Sequence, residues 1–325
     1  MGIRYLNKYI VEHCKESIKP INMEELYGKT IVVDISIYLY KYLMSNSLVE
    51  NMYIMLSLFD CYNITPIFIF DGKPPQEKRE LLDQRYQDKI RAEKQCKDLY
   101  EKMEETSDAS ERAALQETME ALKKKCVFLK KADINKVKYL IESYGYSYYV
   151  ANGEADELCA LFVRTKRAWA CMSEDMDMFV YGVARVLRNF NLIENSIVLY
   201  DTQLILKSIG ITTQDFIELC IMTGSDYTKE NTTDIYTLFT VYQIYLKSTD
   251  SKNLSFRKWL KSNTTSHSIK VMNDDTFNEV RNLFVRENDA NNQLIKTSMV
   301  KRKSPNLKNI QNILEEDGFV YPVSI

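Results

Sequence analysis

Four short apolar runs, each followed closely by acidic residues, constrain this chain more than any other feature. "TIVVDISIYLY" (residues 30–40) and "TPIFIFDG" (residues 65–72) are rich in β-branched and aromatic residues. Each carries a single acid, Asp34 or Asp71, within or just after its apolar stretch. "GYSYYVA" leads into "NGEADELCALFVRTK", and "AWACMS" leads into "EDMDMFVYG". The first and third runs are separated from their successors by helix-like segments, one of them over residues 47–62. Further on, "ARVLRNF" and "SIVLYD" read as strands, and "TQLILKSIG" and "TTQDFIELCIMTGSDY" as helices, the last with Thr212 as N-cap and Asp215 in its first turn. Strands alternating with helices predict an α/β fold, a mostly parallel central sheet covered on both faces by helices.

The acids fall at equivalent places. Asp34 ends one strand core, Asp71 follows another, Glu154 and Asp156 open the helix after a third, and Asp175 and Asp177 follow a fourth. In open parallel sheets the carboxyl ends of the strands share one edge, where ligands bind. Six acids from four segments therefore converge, with Asp226 of "TGSDY" as a seventh candidate. Taken singly, each has a structural explanation: an acid favours a helix N-terminus, and Asp after a strand caps a turn. Jointly they repel, by about 4 kcal/mol per pair at 4 Å with an effective dielectric near 20. Bound cations make such a cluster tolerable. Oxygen donors without His or Cys in the motifs select Mg²⁺ or Mn²⁺. Two such ions suit phosphodiester hydrolysis, because they lower the pKa of an attacking water and stabilise charge on the phosphate and leaving oxygen. Glu174, facing away from Asp175 and Asp177, reads as a solvated charge.

Composition narrows the class further. The 325 residues are 45% hydrophobic and 27% charged, with only 9 Gly and 6 Pro, as in an ordinary soluble globular protein. The net charge of −2 does not announce a nucleic-acid binder. The 7 Cys form no C-x-x-C pair and there are 2 His, His13 and His267, which argues against zinc and for reduced, mostly buried thiols in an intracellular protein. Lys8, Glu12 and Lys15 interrupt any apolar leader. No uncharged apolar run is long enough to span a bilayer, so no membrane partner is expected.

Between residues 73 and 131 the character changes. Fifteen Lys/Arg stand against thirteen Asp/Glu with few large apolar residues, which predicts exposed helices inserted into the core. After about residue 246 the chain becomes polar, helical and mildly basic, with Lys252, Arg257, Lys258, Lys261 and then Lys301, Arg302 and Lys303. This divides the chain into a core over residues 1–245, carrying an insertion over about 73–132, and a C-terminal extension over 246–325.

Six segments in order, "MGI", "GKTIVVDISIYLY", "FIFDGKPPQEKR", "ANGEADELCA", "SEDMDMFVYG" and "LCIMTGSDY", resemble the flap endonuclease family, the XPG-like 5′ nucleases. The Asn-, Ile-, Tyr- and Lys-heavy composition and these motif variants look most like the poxviral branch. The resemblance implies a PIN-like 5′-nuclease fold in which the insertion is a helical arch guiding a single-stranded 5′ flap. It implies that Asp34, Asp71, Glu154, Asp156, Asp175, Asp177 and Asp226 bind two Mg²⁺ or Mn²⁺ ions. Asp156 stands where many relatives carry Glu, another oxygen ligand. Lys78 and Arg85 take the positions of residues that contact the scissile phosphate, and a spacing of seven sets them roughly 10 Å apart on one helix face. Tyr40 matches an aromatic on which a base stacks, with a half-buried core tyrosine as the equal alternative. Gly2 matches a processed N-terminus near the active site and, with Tyr40, Lys78 and Arg85, completes the implied DNA contacts. The implied partners are flap or branched DNA and other viral replication or recombination proteins, at replication sites in the host cytoplasm.

One departure stands out. Relatives follow the equivalent of Asp226 with a glycine-rich helix–two-turn–helix that holds duplex DNA. Here no glycine occurs between Gly224 and Gly318, and bare amides are hard to present in a tight turn without one. Nor does "QNILEEDGF" carry the aromatic pair of a sliding-clamp peptide. A DNA-binding scaffold that keeps the fold with little activity is therefore the second reading, although seven retained acids argue against it. A two-aspartate phosphatase is disfavoured because Phe179 stands where Thr or Val is required, and "YGKT" precedes its strand, unlike a phosphate-binding loop.

Overall fold

Ile31, Val32 and Val33 are fully buried in succession, as expected of a strand covered on both faces. In the computed structural model they lie in β2 (Thr30–Asp34), the middle one of five parallel strands in a seven-stranded sheet. The other strands are β1 (Ile18–Asn22), β3 (Thr65–Phe70), β4 (Ser147–Val150), β5 (Ala170–Met172), β6 (Arg185–Asn191) and β7 (Ser196–Asp201). Their order is β1-β7-β6-β5-β2-β3-β4. The five strands from β6 to β4 run parallel, and β7 and β1 add antiparallel pairs at one edge. The structure describes residues 2–106, 108–123, 126–227, 233–263, 269, 271–285, 289–298 and 302–319. His267, Lys301 and the segment 228–232, where the departure from the glycine-rich motif begins, lie outside the described residues.

The parallel sheet flanked by helices is the architecture expected, but the run after Asp34 differs. It continues as a helix, Ile35–Met44, rather than as strand. Ile35, Tyr38, Leu39 and Tyr42 are its buried residues, a helical spacing. A continuous apolar run does not distinguish a strand from a buried helix, and the acid at position 34 marks the change.

Two compact units result. One comprises Met1–Ile35, Ser57–Lys73 and Tyr146–Arg302, and the other Ser36–Leu56, Pro74–Gly145 and Lys303–Ile325. The first holds the whole sheet. Helix Ala155–Arg164 buries Leu158, Cys159 and Phe162 against β2, β3 and β5. Thr212 caps helix Thr213–Thr223 as expected, its hydroxyl oxygen accepting the Asp215 N–H at 3.1 Å. Asp201 does the same for helix Thr202–Ile209, accepting from Gln203 and Leu204.

The second unit contains the charged insertion. Helices Arg79–Glu105 and Ala109–Lys123 pack on each other and bury little beyond Ala92 and Met119. Helix Lys131–Ser143 is more apolar on one face, and its Val137, Leu140 and Ile141 are buried where it packs with Leu307–Glu316. Among the described residues no helix is long and apolar enough to cross a membrane. All seven cysteines are free thiols, four of them buried.

Candidate active site

The parallel register brings strand ends together. β2 pairs with β3 and β5, with Asp34 opposite Ile69 and Val33 opposite Met172. One residue beyond Met172, Ser173 Oγ donates to Asp34 Oδ2 at 2.9 Å. The same hydroxyl oxygen accepts the Asp175 N–H at 3.1 Å, and Asp175 Oδ1 accepts the Asp177 N–H at 3.0 Å. The loop after β5 is thereby folded so that two acids two residues apart both turn inward. Asp34, Asp156, Asp175 and Asp177 retain only 4%, 8%, 7% and 1% of their exposure, a burial that isolated carboxylates rarely tolerate.

Their charges meet at Asp156. Its carboxyl is held well above the usual range, first by burial and then by the charges of Asp175, Asp34, Asp177 and Glu154. Four of the other six expected acids thus lie within electrostatic reach of Asp156. Asp71 plays a different local part. It is exposed, and its Oδ1 accepts the N–H of Ala155 at 2.8 Å, so it caps the helix that carries Asp156. Asp226 lies half-buried in the turn after helix Thr213–Thr223. Its neighbour Tyr227 donates its hydroxyl to Glu154 Oε2, which ties that turn to the acids.

Beside the acids, Gly2 and Gly72 sit where no side chain fits. Gly2 has φ +80°, and a Cβ there would overlap Asp175 Oδ1 and Asp177 Oδ1. Gly72 lies against the loop between β4 and helix Ala155–Arg164, where a Cβ would overlap the Ala151 carbonyl oxygen. The Gly72 N–H donates to the Gly153 carbonyl at 2.8 Å.

Glu174 is not a solvated charge. Its Oε1 accepts the Asn189 N–H at 2.7 Å, and Oε2 is 3.7 Å from Arg188 Nε, a guanidinium that is itself buried. Ser173, Tyr227 and Arg188 escaped the sequence reading because their partners are remote in the chain. Tyr227 is pushed far up from the usual phenol range, by burial first and then by Tyr181 and Glu154.

In the other unit, Lys78 is buried at the end of the turn Gln76–Lys78, directly before helix Arg79–Glu105, in which Arg85 is half-buried. Tyr40 is 40% exposed. Lys89, one turn beyond Arg85, places its ammonium 4.7 Å from the Tyr40 ring centre and 5.3 Å from that of Phe128. Its pKa is lowered by burial and then by Arg85. The i, i+4 spacing from Arg85 was the available signal for Lys89.

Among the described residues, no group of three or more His, Cys, Asp or Glu side chains stands placed to hold one ion between them. Mg²⁺ does not require such a cage. It takes one or two carboxylates and completes its octahedron with water and substrate phosphate. An all-oxygen donor set whose central carboxyl is destabilised by its neighbours' charge fits a hard divalent cation.

Residues 1–92 match the XPG N-terminal domain and residues 145–226 the XPG I-region. Asp34 and Asp71 fall in the first stretch and the other five acids in the second. Flap endonuclease 1 of Vanderwaltozyma polyspora is 26% identical over 334 residues, spanning 97% of this chain and 83% of its own length. The catalytic core of Rad2 in complex with DNA substrate shares the fold with a TM-score of 0.67 at 20% identity, over 98% of this chain and 95% of that one. The Holliday junction-resolving enzyme GEN1 in complex with product DNA and Mg²⁺ ion gives 0.64 at 14% identity, over 95% of this chain and 72% of that one. A parallel sheet with buried carboxylates at its strand ends, carrying both of these domains, defines a nuclease. The chain belongs to the flap endonuclease/XPG family.

Proposed function

We propose that this nuclease is a divalent-metal-dependent, structure-selective DNA endonuclease and 5′ exonuclease acting on flap or branched DNA. The observation that carries the reading is the meeting of five acids at Asp156, a buried carboxyl that its neighbours' charges disfavour in the ionised form. Two Mg²⁺ or Mn²⁺ ions, held by Asp34, Asp71, Glu154, Asp156, Asp175, Asp177 and Asp226, would activate water and stabilise charge on the phosphate. Ser173 orients Asp34, and Tyr227 orients Glu154. Lys78 and Arg85 contact the scissile phosphate and offset developing negative charge. Tyr40, exposed and already faced by a cation, offers its ring to a base. Gly2 leaves room for Asp175 and Asp177 beside the N-terminal segment.

Relatives named for flap cleavage and for complexes with DNA support this substrate class. Residues 1–245 serve as the nuclease core, residues 73–132 as the arch over a 5′ single strand, and the basic 246–325 extension as a duplex contact in place of the glycine-rich motif. The motif variants and the Asn-, Ile-, Tyr- and Lys-heavy composition support a poxviral setting, with work in viral DNA replication, recombination and repair in the host cytoplasm beside other viral proteins.

Cleavage of a labelled 5′-flap duplex by the wild type and by Asp175→Asn/Asp177→Asn tests the reading. Metal-dependent incision near the junction, lost in the double variant, is expected. Failure of the folded wild type to cut flap, gapped or four-way DNA with either metal contradicts it and favours the scaffold.

A further inference from the structure

The loop between β4 and helix Ala155–Arg164 carries Glu154 and abuts Asp71, and four consecutive links hold it. The Ala151 N–H donates to the Phe70 carbonyl at 2.9 Å, the Gly72 N–H to the Gly153 carbonyl at 2.8 Å, and the Ala155 N–H to Asp71 Oδ1 at 2.8 Å. These three tie the loop to the end of β3. The fourth comes from elsewhere: the Asn152 N–H donates to Asn291 Oδ1 at 3.1 Å, across 139 residues of chain.

Asn291 is fully buried, at 0% exposure, in helix Asp289–Thr297. Its Nδ2 has no hydrogen-bond partner among the described residues, and its Oδ1 accepts from the loop. A buried amide with an unmet donor is a cost that apolar residues of similar size avoid. The helix itself does not depend on Asn291 for anchoring. It packs against helix Ala155–Arg164, and at its far end Arg167 Nη1 donates to both the carbonyl and the hydroxyl of Ser298 at 2.8 Å.

We infer that Asn291 is a positioning residue for the acids, which holds the Ala151–Glu154 turn so that Glu154 and Asp71 keep their places. The inference rests on the metal-dependent reading above. It gives the polar C-terminal segment a role in the site besides any duplex contact. Without the Asn291 acceptor, the Asn152 amide is left without its bond and the turn is held from β3 alone. Glu154, two residues along, then loses definition while the fold of the sheet persists. Loss of such a supporting contact typically weakens metal binding 10–100-fold.

The test uses the full chain with Asn291→Leu, which keeps the volume and removes the acceptor, and Asn291→Asp, which keeps the acceptor. Mn²⁺ binding by calorimetry and the Mg²⁺ dependence of flap cleavage are measured for both. Asn291→Leu is expected to raise the Mn²⁺ dissociation constant and the half-activating Mg²⁺ concentration about tenfold, with the rate at saturating Mg²⁺ within about twofold of wild type. Asn291→Asp is expected to restore most of the affinity. A merely structural asparagine would lower thermal stability and leave metal dependence unchanged, and that result for Asn291→Leu overturns the inference while leaving the nuclease reading intact. A wild type that binds no Mn²⁺ and cuts no DNA overturns both. Should Asn291→Leu fail to fold, amide exchange of Asn152 in the wild type decides. Protection supports the bond, and exchange at the rate of a free chain overturns it.

Discussion

Ser173 Oγ donates to Asp34 Oδ2 at 2.9 Å and so joins the ends of two neighbouring parallel strands, β2 and β5. The same oxygen receives the Asp175 N–H, so one hydroxyl orients an acid on one strand and the loop that carries two more. Ser173→Ala is expected to weaken Mn²⁺ binding by about 10–100-fold, the usual effect of losing a group that orients a metal ligand. Calorimetry checks this, and wild-type affinity in the variant contradicts it.

Gly2→Ala puts a methyl group where Asp175 and Asp177 present their Oδ1 atoms, at a φ of +80° that side chains resist. The N-terminal segment or the carboxylates must shift. A displacement of about 1 Å in such a site costs about 10²-fold in rate. Single-turnover cleavage at saturating metal should show a loss of that order with thermal stability changed by only a few degrees.

The gathering of acids at one sheet edge was legible because strand-end acids obey local rules. Asp34, Asp71, Glu154, Asp156, Asp175 and Asp177 each follow a short β-branched or aromatic run, and a parallel sheet gathers such ends. The strand expected over residues 30–40 failed beyond Asp34 because an apolar run carries no period when helix and strand are both buried. Glu174 looked like a surface charge because Arg188 lies on another strand. Ser173, Tyr227 and Asn291 act through contacts across 139, 73 and 139 residues, which no local pattern encodes. The same holds for Asp71, whose bond to Ala155 spans 84 residues and makes it a helix cap.

Asp156 links the proposed metal site to stability. Its carboxyl titrates well above the ordinary 3.8, so the folded chain binds this proton more tightly than the unfolded chain does. Stability of the metal-free protein therefore falls as pH rises through that interval. Asp156→Asn removes the ionisation. The metal-free variant should melt higher than wild type at pH 7.5, by about 2–4 °C for each kcal/mol of relieved repulsion, and the two should converge near pH 4. Thermal melts in chelator across pH check both statements, and a variant less stable at pH 7.5 contradicts them.

Glu174, by contrast, serves the fold. Glu174→Ala removes the acceptor of the Asn189 N–H and the partner of Arg188. A loss of about 2 kcal/mol in stability is expected from breaking charge-assisted bonds of this kind. Denaturant titration measures it. The Mg²⁺ concentration for half-maximal cleavage should not move, which separates Glu174 from its neighbours Asp175 and Asp177.

The claim that the buried acids form a divalent-cation site is tested most directly by Mn²⁺ binding to the full chain, followed by the loss of the free-ion electron paramagnetic resonance signal at pH 7.5. The wild type should take up about two ions, and Asp175→Asn/Asp177→Asn should lose at least one while remaining folded. No uptake by the folded wild type, or equal uptake by the double variant, would contradict the account.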